Sequence, residues 1–279
     1  IIKQDLPLKL SFLNQKSNFF SGSPPVDIKE RQHTIRIFTL SRFNLVKEGR
    51  PVRFSRKTQQ RPFTLLKALI ALGGREVKEE ELTSILWPET DGDSAHGAFA
   101  INLHRLRRLV GNEKAVSLRD GKVTLNSRYC YVYAWLFERL LGKADTALKD
   151  GSKDKAIQLI EKAASLYNNP FLHDEHAAPW ADKLRKRLQS KFIRYIGKLG
   201  MLYEEEGEFE KAIDTFKKAI EIDPLSEGLY QHLMQCFQRL GRRAEALVVY
   251  NNLKEILSTT FGVEPSSQTV ALYKILINK

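Results

Sequence analysis

The sequence predicts a mainly α protein: a compact head of short strands and three helices, then an array of helical hairpins. Three observations carry this. Between His33 and Tyr129 the hydrophobic pattern runs strand, strand, strand, helix, helix, helix, hairpin. From Tyr131 onward it is almost wholly helical. Within that second part Gly207 and Gly241, Ala212 and Ala246, Phe216 and Tyr250, and Tyr203 and Phe237 recur at a period of 34 residues.

Residues 1–32 read as a linker, because Ser21-Gly22-Ser23-Pro24-Pro25 cannot continue a regular element. Thr34–Leu40, Phe43–Val46 and Pro51–Phe54 have strand composition, with Glu48-Gly49 as a turn, and suggest an antiparallel meander. The run from Arg61 to Leu72 is a helix, with Pro62 in its first turn and Gly73-Gly74 as its stop. Glu79–Trp87 form a short helix ended by Pro88, and Glu89–Asp93 form an acidic loop.

The next helix runs from Ser94, a natural cap, to Gly111, a natural stop. Phe99, Leu103, Leu106 and Val110 recur at steps of four, three and four, one narrow apolar stripe. The opposite side carries Ser94, Ala98, Ile101, Arg105 and Arg108, flanked by His104. Small residues allow close approach to a groove, Arg offers forked donors to guanine or phosphate, and an aliphatic can meet a thymine methyl. A solvated basic face has the same composition, so the helix alone leaves both readings open. Val116–Arg119, Asp120-Gly121 and Lys122–Leu125 then make a hairpin, for which Asp-Gly between alternating apolar residues is a strong signal. Helix-turn-helix followed by a hairpin is a winged helix, and in that arrangement the third helix enters the major groove while Arg119 and Lys122 meet phosphates.

Composition is consistent with this. The chain has 279 residues, 42% hydrophobic and 28% charged, enough for about two domains with cores of their own. Its net charge is +12, and residues 27–129 carry twenty Lys and Arg against twelve Asp and Glu. The excess therefore sits with the candidate groove helix, which suits a polyanionic partner. The two cysteines, Cys130 and Cys236, form no disulfide framework and fit a reducing, cytoplasmic setting. No apolar run is long enough to span a bilayer, and no secretory signal pattern opens the chain. A start at Ile1 rather than Met suggests a piece of a longer protein.

In the helical part, Gly precedes the second helix of each pair, small Ala where the helices meet lets them approach closely, and the aromatic fills the gap between units. Period and residues together are the tetratricopeptide signature. Gly151–Leu166 is a looser copy, with Ala156 in the role of Ala212. Enzyme motifs are lacking: no Gly-x-Ser-x-Gly, phosphate-binding glycine loop or dinucleotide fingerprint occurs, and no cofactor is indicated. His173-Asp174-Glu175-His176 has ligand types, but neither a Cys nor a third His lies nearby, so no metal is expected. Cys130 sits among Tyr129, Tyr131, Tyr133 and Trp135, as a packed, inert thiol would. Arg56 and Lys57 read equally well as a phosphate contact or a surface charge pair.

Two resemblances sharpen the reading. Residues 34–129 resemble the OmpR-type winged helix, whose third helix commonly ends as Arg105-Leu106-Arg107-Arg108 does here. That likeness implies base reading by Ala98, Ile101, Asn102 and Arg105, phosphate contact by Arg107 and Arg108, and polymerase contact by the loop holding Glu89, Asp91 and Asp93. Asn169-Pro170-Phe171-Leu172, Ala178-Pro179-Trp180, Asp223-Pro224-Leu225, Gly241–Leu247 and Phe261–Ser266 resemble the bacterial transcriptional activator domain. Joined behind an OmpR-type winged helix, that domain defines activators of the antibiotic-regulatory-protein type. The resemblance implies domains at 33–129 and 130–279, homodimers on promoter repeats of double-stranded DNA, RNA polymerase as partner, and a sensory region upstream. Where the family often carries Val-Asp, this chain has Val132-Tyr133, which removes an acidic contact from the junction. A protein-interaction adaptor, or the output part of an ATP-dependent sensor, is the competing expectation.

Overall fold

A computed structural model describes residues 34–52, 60–175 and 178–278. They divide into two compact units, one built from 34–140 with 166–190, the other from 141–165 with 191–278.

The first unit opens with β1 (Ile35–Phe38), β2 (Asn44–Lys47) and β3 (Arg50–Pro51). There follow α1 (Gln60–Ala71), β4 (Val77–Lys78), α2 (Glu79–Leu86), α3 (Gly92–Val110), β5 (Val116–Arg119), β6 (Lys122–Leu125) and β7 (Cys130–Val132). The strands form a four-stranded sheet, β3-β2-β1-β7, and a three-stranded sheet, β4-β6-β5. In β1, Ile35 and Ile37 are buried while Arg36 and Phe38 are half-buried, the alternation of a strand with one covered face. β3 is shorter than the expected Pro51–Phe54, and residues 53–59, with Arg56 and Lys57, lie outside the described residues.

Two strands escaped the periodicity. β4 has only two residues and exists by pairing Val77 with Val123. β7 runs parallel to β1, with Ile35 opposite Cys130 and Ile37 opposite Val132. All three β7 residues are buried, so no alternation marks it. This pairing draws the residues after 129 into the first unit, whose limits therefore differ from a cut at 129/130. Tyr133, where the family often has Asp, is buried and stacks on Phe38 with ring centroids 4.0 Å apart. An aromatic contact thus occupies the junction position.

Gly73 and Gly74 end α1 with φ of +101° and +71°. The Gly74 N–H donates to the Leu69 carbonyl at 2.8 Å, and its carbonyl accepts from the Leu125 N–H at 2.7 Å. A Cβ on Gly74 would strike the Trp135 ring, whereas one on Gly73 would meet nothing.

The second unit consists of most of α4 (Tyr133–Lys149) and α5 (Lys153–Leu166), the end of α6 (Pro179–Glu205), and α7 (Phe209–Ile222), α8 (Glu227–Arg239), α9 (Arg243–Phe261) and α10 (Ser267–Ile277). One turn is built three times. Ser152 N–H bonds to Ala147 O at 2.8 Å, Glu208 N–H to Tyr203 O at 2.8 Å, and Arg242 N–H to Phe237 O at 2.9 Å. Gly151, Gly207 and Gly241 each hold positive φ inside it. Ala156, Ala212 and Ala246 follow, all at 0% exposure. The looser copy at Gly151 is thus a true repeat. Its interval to Gly207 exceeds the 34-residue period because residues 166–190 belong to the first unit. The chain is mainly helical with small sheets at its start, and no helix among the described residues is long and apolar enough to cross a membrane.

Two outcomes are expected of the fold. Gly74→Ala combines positive-φ strain with overpacking against Trp135 and should lower urea stability by about 1–3 kcal/mol. Gly73→Ala, which bears the φ strain alone, should cost less; equal losses would remove Trp135 from the account. Lys218, half-buried on α7 beside Phe192, has its ammonium pushed down to about 8 by desolvation. Its folded pKa lies below the unfolded value, so the unfolded chain binds more protons between about 8 and 10.5 and stability should rise with pH across that window. Lys218→Met should raise the urea midpoint at pH 7 and flatten that rise.

Candidate nucleic-acid interface

Helix α3 begins earlier than its sequence suggests. Asp91, not Ser94, is the cap: its carboxylate accepts the Ser94 N–H at 3.0 Å, and this bond holds the carboxyl below its ordinary value. The acidic loop is correspondingly short. Glu89 is exposed in it, Asp91 is its last residue, and Asp93 lies in the first helical turn. Gly111, left-handed at φ +67°, ends the helix, with Arg107 and Arg108 in the last turn where cations favour the dipole.

Ala95, Phe99, Asn102, Leu103, Leu106 and Val110 are buried, and α3 packs against α1 and α2. Asn102, expected to read bases, is therefore withdrawn from the outward face of α3. It lies three residues after Phe99 and four before Leu106, so helical geometry puts it on their stripe. Only 3% of it is exposed, and its Nδ2 donates to the Ala98 carbonyl at 2.7 Å. Ala98 itself is half-buried at the flank.

The outward face centres on Gly97, Ile101, His104 and Arg108, which recur at four, three and four residues and fall within about 60° of one another at roughly 100° per residue. Ile101 is 53% exposed; His104, Arg105, Arg108 and Ala100 are exposed too. Arg105 stands at the edge of this face and Arg108 at its centre. Gly97, Ala100 and the central place of Arg108 went unread in the sequence, although their spacing mirrors the core stripe on the opposite side. Arg107 is half-buried, and its Nε donates to the Val116 carbonyl at 2.8 Å, tying α3 to the hairpin.

Asp120 and Gly121 turn the hairpin with φ of +48° and +68°, the two-residue primed turn expected of Asp-Gly. Arg119 and Lys122 face each other across its end, both exposed. The Glu79 N–H donates to the Gly121 carbonyl at 2.8 Å, so the tip is anchored to the start of α2. A cleft between the tip and the starts of α2 and α3 is lined by Lys78, Glu79, Gly92, His96 and Lys122. Within it His96 pairs with Glu79. Hairpin tip and α3 thus adjoin within one compact unit.

Among the described residues no three His, Cys, Asp or Glu side chains gather to hold a metal, and His176 lies outside them. Cys130 is buried and burial pushes its thiol up to about 12, far from a reactive thiolate.

The architecture is that of a winged helix-turn-helix followed by tetratricopeptide-like hairpins. Residues 133–276 match the family described as the bacterial transcriptional activator domain, and the chain belongs to that family. With its winged helix ahead of the domain, it is of the antibiotic-regulatory-protein type. It is 28% identical over 219 residues to regulatory protein AfsR of Streptomyces griseus, an alignment covering 78% of this chain and 22% of that protein. It is also 28% identical over 140 residues to regulatory protein DnrI of Streptomyces peucetius, covering 49% of this chain and 50% of the relative. A solved structure of Mycobacterium tuberculosis EmbR, in complex with a low-affinity phosphopeptide, superposes with a TM-score of 0.73 at 17% identity, over 88% of this chain and 65% of that one. That likeness shows the shared fold. The chain spans about a fifth to a half of the length of the curated relatives it matches.

Asn102→Ala should lower stability by no more than about 1 kcal/mol, because loss of the Ala98 bond is partly offset by removal of the buried, unpartnered Oδ1. Its duplex-DNA sequence preference, measured by selection from a random pool, should not change; an altered preference would return Asn102 to the reading face.

Proposed function

We propose that the chain is a sequence-specific activator that binds double-stranded promoter DNA and recruits RNA polymerase, without covalent chemistry of its own. The observation that carries this reading is the outward face of α3: Ile101 set among Gly97, His104, Arg105 and Arg108, beside a hairpin tip bearing Arg119 and Lys122. Small and apolar groups at the centre suit close approach to base edges, and the cations around them suit guanine and phosphate. Ile101, His104, Arg105 and Arg108 read the groove with Ala98 at its edge. Arg107, Arg119 and Lys122, with Arg56 and Lys57, hold the backbone.

Family membership supports the rest of the reading. Two copies occupy repeated half-sites, and the repeat unit joins the protomers. The acidic stretch with Glu89, Asp91 and Asp93 meets polymerase. A sensory region precedes the segment in the full protein, which works in the cytoplasm.

Selection from a random duplex pool, followed by anisotropy titrations at two salt concentrations, tests this. Binding should be strongly salt-dependent, because each neutralised phosphate releases counterions. Arg105→Ala should cost about 1–3 kcal/mol and relax one position of the selected site. Lys122→Ala should weaken all sequences alike and reduce the salt slope by about 1. Absence of binding at low salt would favour a protein-interaction adaptor instead.

A further inference from the structure

The first unit carries a second basic surface, remote from α3 in sequence. Residues 183–187 of α6 read Lys-Leu-Arg-Lys-Arg, four cations around one apolar residue. Leu184 is buried and directs this turn of helix. Arg185 is the anchor. Its Nε donates to the Phe171 carbonyl at 2.9 Å, and its Nη2 to the Leu172 and Glu175 carbonyls at 3.2 and 3.1 Å. The same guanidinium takes the Asp182 carboxylate. With Arg185 holding the preceding loop, Lys183, Lys186 and Arg187 are exposed. Arg187 reaches Glu138 at 3.2 Å while staying 52% exposed. Nearby acidic charge is thus spent on Arg185 and Arg187.

The attachment of this segment decides which polyanion fits. The Asn168 and Asn169 N–H groups donate to the Leu40 carbonyl at 3.0 and 2.9 Å, and the Leu172 N–H donates to the Thr39 carbonyl at 3.0 Å. Lys67 of α1 pairs with Glu175. The segment therefore docks on the end of β1 and on α1. Helix α1 packs against α3, whose buried stripe lies opposite Ile101, His104 and Arg108. The basic turn follows on α6, whose preceding loop is docked on α1, the helix that packs against the buried side of α3.

We infer that Lys183, Lys186 and Arg187 form a docking surface for an acidic protein face, offered by the polymerase holoenzyme while α3 occupies DNA. This rests on the proposed recruitment and gives it a second contact, separate from Glu89, Asp91 and Asp93. Exposed lysines contribute to steering and orientation more than to raw affinity, and reversing their sign places like charges together.

The test uses the full chain, with the source bacterium's RNA polymerase holoenzyme and a promoter carrying the selected operator. Lys183→Glu with Lys186→Glu should leave helicity and operator affinity unchanged and reduce activated transcription by about tenfold or more. Lys183→Arg with Lys186→Arg should retain activation. Full activation by the charge-reversed protein would overturn the inference. An equal loss of operator affinity would overturn it in favour of DNA as the polyanion. A wild-type chain that binds no duplex removes the DNA reading. One that binds its operator yet never activates removes recruitment, and this surface with it.

Discussion

Burial of one stripe on α3 governs which of its residues face outward. Phe99, Leu103, Leu106 and Val110 are all nearly or fully buried against the rest of the unit. At about 1.5–3 kcal/mol for each large apolar side chain removed from water, turning this helix would forfeit several kcal/mol. Exposed cations on its other side contribute about 0–1 kcal/mol each to stability. The core therefore chooses the orientation, and the outward residues are free to be selected for what they touch.

The same constraint explains why the hairpin matters. The hairpin and α3 are held in a constant relation by two bonds. Arg107 joins the last turn of α3 to the base of β5, and the Gly121 carbonyl joins the hairpin tip to the start of α2. The first residues of α3 are fixed in turn by the Asp91 cap. Helix α3 and the basic hairpin tip are thus bonded into one compact unit.

The repeat unit follows a different economy of sequence. One turn, with a glycine at positive φ and a following alanine at zero exposure, serves three hairpins. Between the first and second copies, residues 166–190 leave the array to pack on β1 and α1. The inserted stretch gives the first unit its Lys183–Arg187 surface. A region assigned to the repeats by its helical pattern is thereby structurally part of the head.

Much was legible from residues alone. The Asp-Gly hairpin, the α1 stop at Gly73-Gly74, the left-handed end of α3 at Gly111 and the 34-residue repeat are local, because a turn or a helical period is written in neighbouring residues. Ile101, Arg105 and Arg108 on the outward side also followed from the wheel. What tertiary structure alone decided lies where distant residues meet. β7 exists through Ile35, and β4 through Val123. Asn102 is polar by type yet buried, because its place on the stripe outweighs its chemistry: its Nδ2 donates to the Ala98 carbonyl, while its buried Oδ1 has no partner among the described residues. Arg185 and Lys183 are near-neighbours of one charge, yet one is bound to three backbone carbonyls and the other faces solvent. Composition and spacing determine which elements form. Only the packing of elements far apart in the chain determines which of their polar groups are already engaged and which remain for a partner.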